Sequence, residues 1–142
     1  YTGADGEKHC PVMIHRVVFG SVERFIGVIT EHFAGAFPMW LSPVQVEILP
    51  IADRHHGAAN AVRDKLEAAG IRVHVDTRSE KLGYKLREAQ LQKTPYMLVV
   101  GDREAEEGTV SVRKRGEGDK GSMSADDFMK LALDDIVSKK LG

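Results

Sequence analysis

The 142-residue sequence predicts an α/β fold: a mostly parallel, mixed sheet flanked by helices, preceded by a separate strand–helix unit. Three observations carry that expectation. From Val44 onward, short segments rich in Val, Ile and Leu alternate with stretches whose apolar residues recur at helical spacing, so the periods of strand and helix take turns. The run YMLVV at Tyr96–Val100 is continuously apolar, as suits a strand buried on both faces. Successive β-α-β units of this length imply crossover connections, and crossovers make neighbouring strands parallel.

The elements follow in order. Residues 1–9 (YTGADGEKH) are polar and glycine-containing, and read as a loop or hairpin edge. PVMIHRVVFG, ending at Gly20, is apolar and β-branched, which predicts a strand of about nine residues. Gly20-Ser21 supplies a break and an N-cap. From there Val22, Phe25, Ile26, Ile29 and Phe33 share one helical face, and Gly35 stands at the C′ position. In FPMWLSP, Pro38 and Pro43 frame a short apolar stretch that neither helix nor central strand accommodates. It is read as a linker, 39–43, between a first unit, 1–38, and a second, 44–142, with Trp40 marking a linker that packs.

In the second unit, VQVEILPIA reads as a strand, Ala58 to Ala69 as a helix closed by Gly70, and IRVHVDT as another strand. Leu82 to Gln92 reads as a helix through Leu82, Leu86 and Ala89; YMLVVGD and TVSVRKR read as the third and fourth strands of this unit. A final helix is expected from Ser124 to Leu141, with Asp126 and Asp127 in its first turn and Lys139 and Lys140 in its last. Both placements agree with the helix dipole. Its arc of Phe128, Met129, Ala132, Leu133, Ile136 and Val137 reads as core packing.

Composition narrows the function classes. A formal net charge of -1 gives no global pull toward nucleic acid or membrane, so any anion binding must come from local patches. The single cysteine, Cys10, excludes an internal disulfide and fits a reducing cytosol. No apolar run approaches the roughly 20 residues that span a bilayer, and no signal peptide is visible, so a cytoplasmic protein away from membranes is expected. A start at Tyr1, with a strand within about a dozen residues, reads as a cut through a longer protein.

Two regions carry candidate chemistry. Arg24 opens a helix, where a cation opposes the dipole by a few tenths to about 1 kcal/mol. It is either a surface cation pairing with Glu31 or solvent, or a contact to an anion held at the helix start by backbone N–H groups and a bidentate guanidinium. His15, inside an apolar strand, is either a satisfied half-core residue or one ligand of a site completed from elsewhere. His9 and Cys10 do not add a self-contained zinc site, because adjacent residues of an extended segment face opposite ways and a fourth ligand is missing. The DRHH cluster (Asp53, His55, His56) reads as solvated loop in preference to a metal site.

The second region runs from Arg78 to Arg115. Arg78, Lys81, Lys85, Arg87 and Lys93 lie on or beside one helix, Arg113, Lys114 and Arg115 end a strand, and Tyr84 offers a stacking face. Single-stranded RNA is read by such groups: bases stack on aromatic and guanidinium planes and bond through their edges. Arginine bridges two acceptors on guanine, and a carboxylate such as Glu104 accepts from a base amino group. The competing reading is a solvated basic face diluted by Glu80, Glu88, Glu106 and Glu107.

The stretch PVMIHR…GSVERFIGVITEHFAGAFP resembles the third signature motif of class II aminoacyl-tRNA synthetases, in the form carried by the threonyl-tRNA synthetase family. SEKLGYKLREAQLQKTPYMLVVGDREAEEGTVSVRKRG resembles the C-terminal anticodon-binding domain of the same family, and the likeness runs along the whole chain. The resemblance implies that residues 1–38 close a class II catalytic domain and that the anticodon-binding domain follows. It implies that Arg24 contacts ATP phosphates, that Ser21 lines a threonine pocket, and that His15 is one ligand of a catalytic Zn²⁺ whose other ligands are absent from this chain. It implies that Ser79, Lys81, Arg87, Glu104 and Arg113 meet the anticodon loop of tRNA(Thr); Ser79 departs from the asparagine common there. For the complete enzyme the resemblance implies ATP with Mg²⁺, one Zn²⁺, threonine as substrate and a homodimer. This chain alone, lacking most of the catalytic domain, is expected to be inactive in threonine activation and to hold no cofactor tightly. Two rivals stand beside this: a standalone, non-catalytic tRNA-binding or regulatory module, and an α/β domain that binds a nucleotide or a protein with its basic face incidental.

Overall fold

The computed structural model describes residues 1–141. Helix α1 (Val22–His32) is followed by β1 (Val46–Pro50), a short 3-10 turn (Asp53–His55), α2 (His56–Ala68), β2 (Val73–Val75), α3 (Leu82–Leu91), β3 (Tyr96–Val100), α4 (Asp102–Glu107), β4 (Thr109–Lys114), β5 (Gly118–Ser124) and α5 (Ala125–Val137). The strands form one five-stranded sheet in the order β2-β1-β3-β4-β5. Strands β2, β1 and β3 are parallel, whereas β3, β4 and β5 are antiparallel.

The sheet is thus mixed, with a larger antiparallel share than the alternation of elements predicts. The connection from β3 to β4 is the reason. It holds only Gly101, α4 and Gly108, whose left-handed φ of 67° reverses the chain, and a parallel crossover needs about a dozen residues or more. Strand β5 (GDKGSMS) and α4 (DREAEE) are additions to the predicted elements. Neither carries an apolar period. β5 is an edge strand paired through β4, with a register shift between Val112 and Arg113.

Side-chain alternation divides the core into two layers. Val46, Ile48, Leu98, Val110 and Val112 face α2 and α5, where Leu66 and Phe128 are fully buried. Leu49 and Met97 point the other way, against Ala89 of α3. Tyr96 extends through the first layer to donate its hydroxyl to Asp135 Oδ2 at 2.7 Å.

The strand expected at 11–20 is not formed. These residues are exposed, Ile14 by 88%, and among the described residues no ladder pairs them. β-branched composition favours an extended backbone, but a strand exists only where a second strand accepts from its N–H groups and donates to its C=O groups. Thr2 and Lys8 do form an antiparallel bridge, so the first nine residues make a small hairpin. Helix α1 forms as expected with Ser21 as N-cap, its Oγ accepting from Arg24 N at 3.3 Å. Gly35 follows with φ 73°, yet no residue of α1 is buried.

Residues 36–45 are tied down by arginines. Arg115 Nη2 donates to Ala36 O and Phe37 O at 3.1 and 2.9 Å. Arg72 Nε and Nη2 donate to Ser42 O at 3.0 and 2.7 Å. The buried Gln45 donates to Met39 O and accepts from Arg72 N. Helix α5 stops at Val137, short of the expected Leu141. Lys139 takes φ 50°, and Lys140 turns back to Asp134 and Asp135 at 2.6 and 2.8 Å.

Candidate nucleic-acid interface

Between β1 and β3 the chain leaves the sheet in opposite directions: β1 leads through α2 to β2, and β3 leads through α4 to β4. Ligands of open α/β sheets bind at the carboxyl ends of strands beside such a switch. Three short segments meet there: Ile51–His56 after β1, Asp76–Lys81 after β2, and Gly101–Glu104 after β3. A cleft of about 540 Å³ opens among the first two, lined by Asp53, Arg54, Arg78, Ser79 and Lys81.

Ion pairs shape its walls. Asp76, buried after β2, accepts from Arg78 N and Nε at 3.0 Å and from Nη2 at 2.7 Å. The Arg78 guanidinium holds the Asp76 carboxyl below the usual carboxylate range. Arg78 in turn lies 5.8 Å from the centroid of the exposed Tyr84 ring. Lys85, only 2% exposed, donates to Pro50 O at 3.1 Å and Asp76 O at 3.0 Å. It clamps the ends of β1 and β2, and is therefore not the RNA contact that its place in a basic helix suggests.

A second cluster joins β1 to β3. His55 is 2% exposed, and its Nδ1 accepts from Ala52 N at 3.1 Å. That bond places the proton on Nε2, which donates to Asp102 Oδ1 at 2.7 Å. Asp102 also accepts from Arg54 Nε and Nη2, both at 2.7 Å, in a bidentate fork. Arg54 first and His55 second hold the Asp102 carboxyl far below its ordinary value. DRHH is thus not a uniformly solvated loop. The dipeptide Gly101-Asp102 after β3 is the other half of the cluster, and no local pattern connects residues 47 positions apart.

Glu104 caps its own helix, Oε2 accepting from Gly101 N at 3.0 Å. A Cβ at Gly101 would stand 2.8 Å from Ile51 Cδ1 and 3.0 Å from Glu104 Oε2, so glycine permits both contacts. Arg113 projects on the α3 side of β4, opposite Met97 and Asp119. Its guanidinium is 3.5 Å from Asp119 Oδ2, and it lines a depression of about 340 Å³ with Gln90 and Thr94. Ser79 and Lys81 share the first cleft; Arg113 lines the second depression; Arg87 stands exposed on α3, and Glu104 is half-buried on α4. The five residues are distributed over one end and one face of the sheet: Ser79 and Lys81 line one cavity and Arg113 another.

The basic patch of the sequence therefore divides. Arg78, Lys85 and Arg115 are held by protein groups, Lys93 donates to Ala34 O, and Lys114 pairs with Glu117 at 2.6 Å. Lys81 and Arg87 are exposed and make no ion pair among the described residues.

At the other end of the chain, Arg24 is exposed in the first turn of α1 and does not pair with Glu31; Ser21 Oγ donates to Glu23 Oε2 at 3.0 Å. His15 is exposed, and among the described residues no group of three or more His, Cys, Asp or Glu is placed to hold a metal. These residues by themselves therefore do not fit a zinc ion. No helix among the described residues is long and apolar enough to cross a membrane.

Comparison with known proteins agrees with the geometry. Residues 45–134 match the family model described as the anticodon binding domain. A threonine–tRNA ligase of Desulforamulus reducens is 62% identical over 99% of the chain, and one of Caldanaerobacter subterraneus subsp. tengcongensis is 60% identical over the same share. In each case the chain spans 22% of the relative's length. Among solved structures, the RNA binding domain of threonyl-tRNA synthetase from Cryptosporidium parvum Iowa II superposes with a TM-score of 0.75 at 34% identity, over 80% of this chain and 29% of that one. The sheet with its switch point, the residues around it and the family match lead to one conclusion: this chain belongs to the anticodon binding domain family, in the form found in threonine–tRNA ligases.

Proposed function

We propose that this chain reads the anticodon loop of a threonine tRNA for a threonine–tRNA ligase, a role that the matched family model and its relatives' names together support. The observation that carries the reading is the division of the basic patch. After the structural cations are removed, Lys81 and Arg87 stand free along the exposed side of α3. Arg113 lies on the same side of the sheet. In this reading Lys81 and Arg87 meet backbone phosphates or base acceptors. Arg113 bonds a base edge, Ser79 bonds through its hydroxyl, and Glu104 offers Oε1 to a base amino group while Oε2 stays on Gly101.

The same reading extends to the first 38 residues. In the complete enzyme Arg24 neutralises ATP phosphates bound with Mg²⁺, Ser21 faces threonine, and His15 contributes one bond to a zinc ion completed by other residues. Fixed donors aimed at developing charge are effective because they need no reorganisation. The chain alone lacks threonine activation on this proposal. In the cell it works within a cytoplasmic homodimer.

Fluorescence anisotropy with a labelled anticodon stem-loop of a threonine tRNA, at physiological salt, tests the reading. Each substituted anticodon base is expected to weaken binding by about 5- to 150-fold, the equivalent of about 1–3 kcal/mol. Lys81→Ala and Arg87→Ala are each expected to weaken it as well. Affinity unchanged by anticodon substitution would refute it.

A further inference from the structure

The geometry points to Arg54 as an additional RNA-reading residue: a guanidinium plane fixed by Asp102 and His55, on which one unpaired base of the bound loop stacks. This rests on the anticodon-reading function proposed above. Arg54 lines the same cleft as Ser79 and Lys81. Through Asp102 it is also bolted to α4, two residues before Glu104. It therefore stands between the two parts of the candidate surface that the cleft alone does not connect.

The chemistry of the cluster selects stacking over a phosphate contact. Arg54 and Asp102 form a bidentate pair, so their charges cancel, and a neutralised guanidinium attracts a phosphate weakly. Its flat face remains open, since the Arg54 side chain is 67% exposed. An arginine side chain normally loses much rotamer freedom when it binds. Here Nε and Nη2 are already fixed, and their acceptor is held from behind by His55, which is itself buried and locked by Ala52 N. Arg54 is the contact residue of this arrangement, and Asp102 and His55 are positioning residues. A guanidinium plane is a stacking surface for splayed single-stranded bases, tolerant of base identity because every base offers a π-face.

The test uses the whole 142-residue chain and the labelled threonine anticodon stem-loop, titrated over a series of salt concentrations. Arg54→Ala is expected to weaken binding by about 5- to 150-fold, the range of a stacking contact. Arg54→Lys keeps the charge and loses the plane, and is expected to fall nearly as far. Arg54→Ala also unpairs Asp102, so the slope of log K against log salt is read in the double variant Arg54→Ala/Asp102→Asn. There it should match the wild type, whereas a lost phosphate contact flattens it by about 0.7. Stem-loops carrying one abasic loop position at a time identify the stacked base: one position costs the wild type affinity and costs Arg54→Ala nothing further. Asp102→Asn releases the Arg54 charge, and should steepen the salt slope by about 0.7 while abolishing the effect of that abasic position.

Wild-type binding with Arg54→Ala unaffected overturns this inference and leaves the anticodon reading intact. A flattened slope in Arg54→Ala/Asp102→Asn, or wild-type affinity in Arg54→Lys, overturns it in favour of a phosphate contact. An Asp102→Asn variant with wild-type slope and affinity overturns the positioning role. A wild-type chain indifferent to the anticodon overturns both proposals.

Discussion

Lys85 gives the sharpest prediction, because two readings of it differ in which quantity should move. Lys85→Met keeps most of the aliphatic stem and removes the ammonium. The structure loses two hydrogen bonds, to Pro50 O at 3.1 Å and Asp76 O at 3.0 Å, in a site only 2% exposed. Bonds from a charged donor contribute about 1.5–3 kcal/mol each, and an acceptor left unsatisfied in a dry site costs about 1–3 kcal/mol. Relief from desolvating the ammonium offsets part of that loss. The net expectation is a destabilisation of about 2–4 kcal/mol. At a urea slope of about 2 kcal/mol/M, the unfolding midpoint should fall by roughly 1–2 M with the slope unchanged. Anticodon affinity of the folded variant should change less than about twofold, far below the tenfold that 1.4 kcal/mol represents. An unchanged midpoint with a large loss of RNA affinity would refute the clamp and restore Lys85 to the binding surface.

Tyr96→Phe removes the buried bond to Asp135, and thermal or urea unfolding should show a loss of about 1–2 kcal/mol. In the wild type, burial first and Asp135 second push the Tyr96 hydroxyl up, so ultraviolet titration should find it un-ionised until the fold opens. Asp76 makes acid unfolding directional. The Arg78 guanidinium lowers its folded-state pKa, so its stabilisation is present above the unfolded value near 4 and is lost as pH falls through the folded one. Asp76→Asn should flatten the loss of stability below about pH 4, and an unaltered acid limb in urea melts at several pH values would contradict the pairing. Arg115→Ala releases Ala36 and Phe37. Hydrogen exchange should then quicken across residues 33–41 while β1 and β3 keep their protection.

Much of the fold was legible because its period is local. Leu82, Leu86 and Ala89 mark α3, and Tyr96–Val100 marks a central strand, without reference to anything distant. The strand expected at 11–20 failed for the complementary reason: its residues have the right composition, but no neighbouring strand completes its hydrogen bonds. Strand β5 was illegible because it borrows its conformation from β4. Among site residues, Lys81 and Arg87 were named from their charge beside one helix and from the family resemblance, and the structure leaves both exposed. The roles of Lys85 and Arg115 were not, since the carbonyls they satisfy belong to distant segments.

The sequence by itself determined the alternation of strand and helix, the capping of α1 by Ser21, and the family to which the pattern belongs. These depend on neighbours within a few positions, where spacing and residue type decide the outcome. Only the tertiary structure decided which cations are free to meet a ligand, and that Arg54, His55 and Asp102 form one cluster. Desolvation and hydrogen bonding act through space, and the chain brings β1 and β3 together only once the sheet has closed.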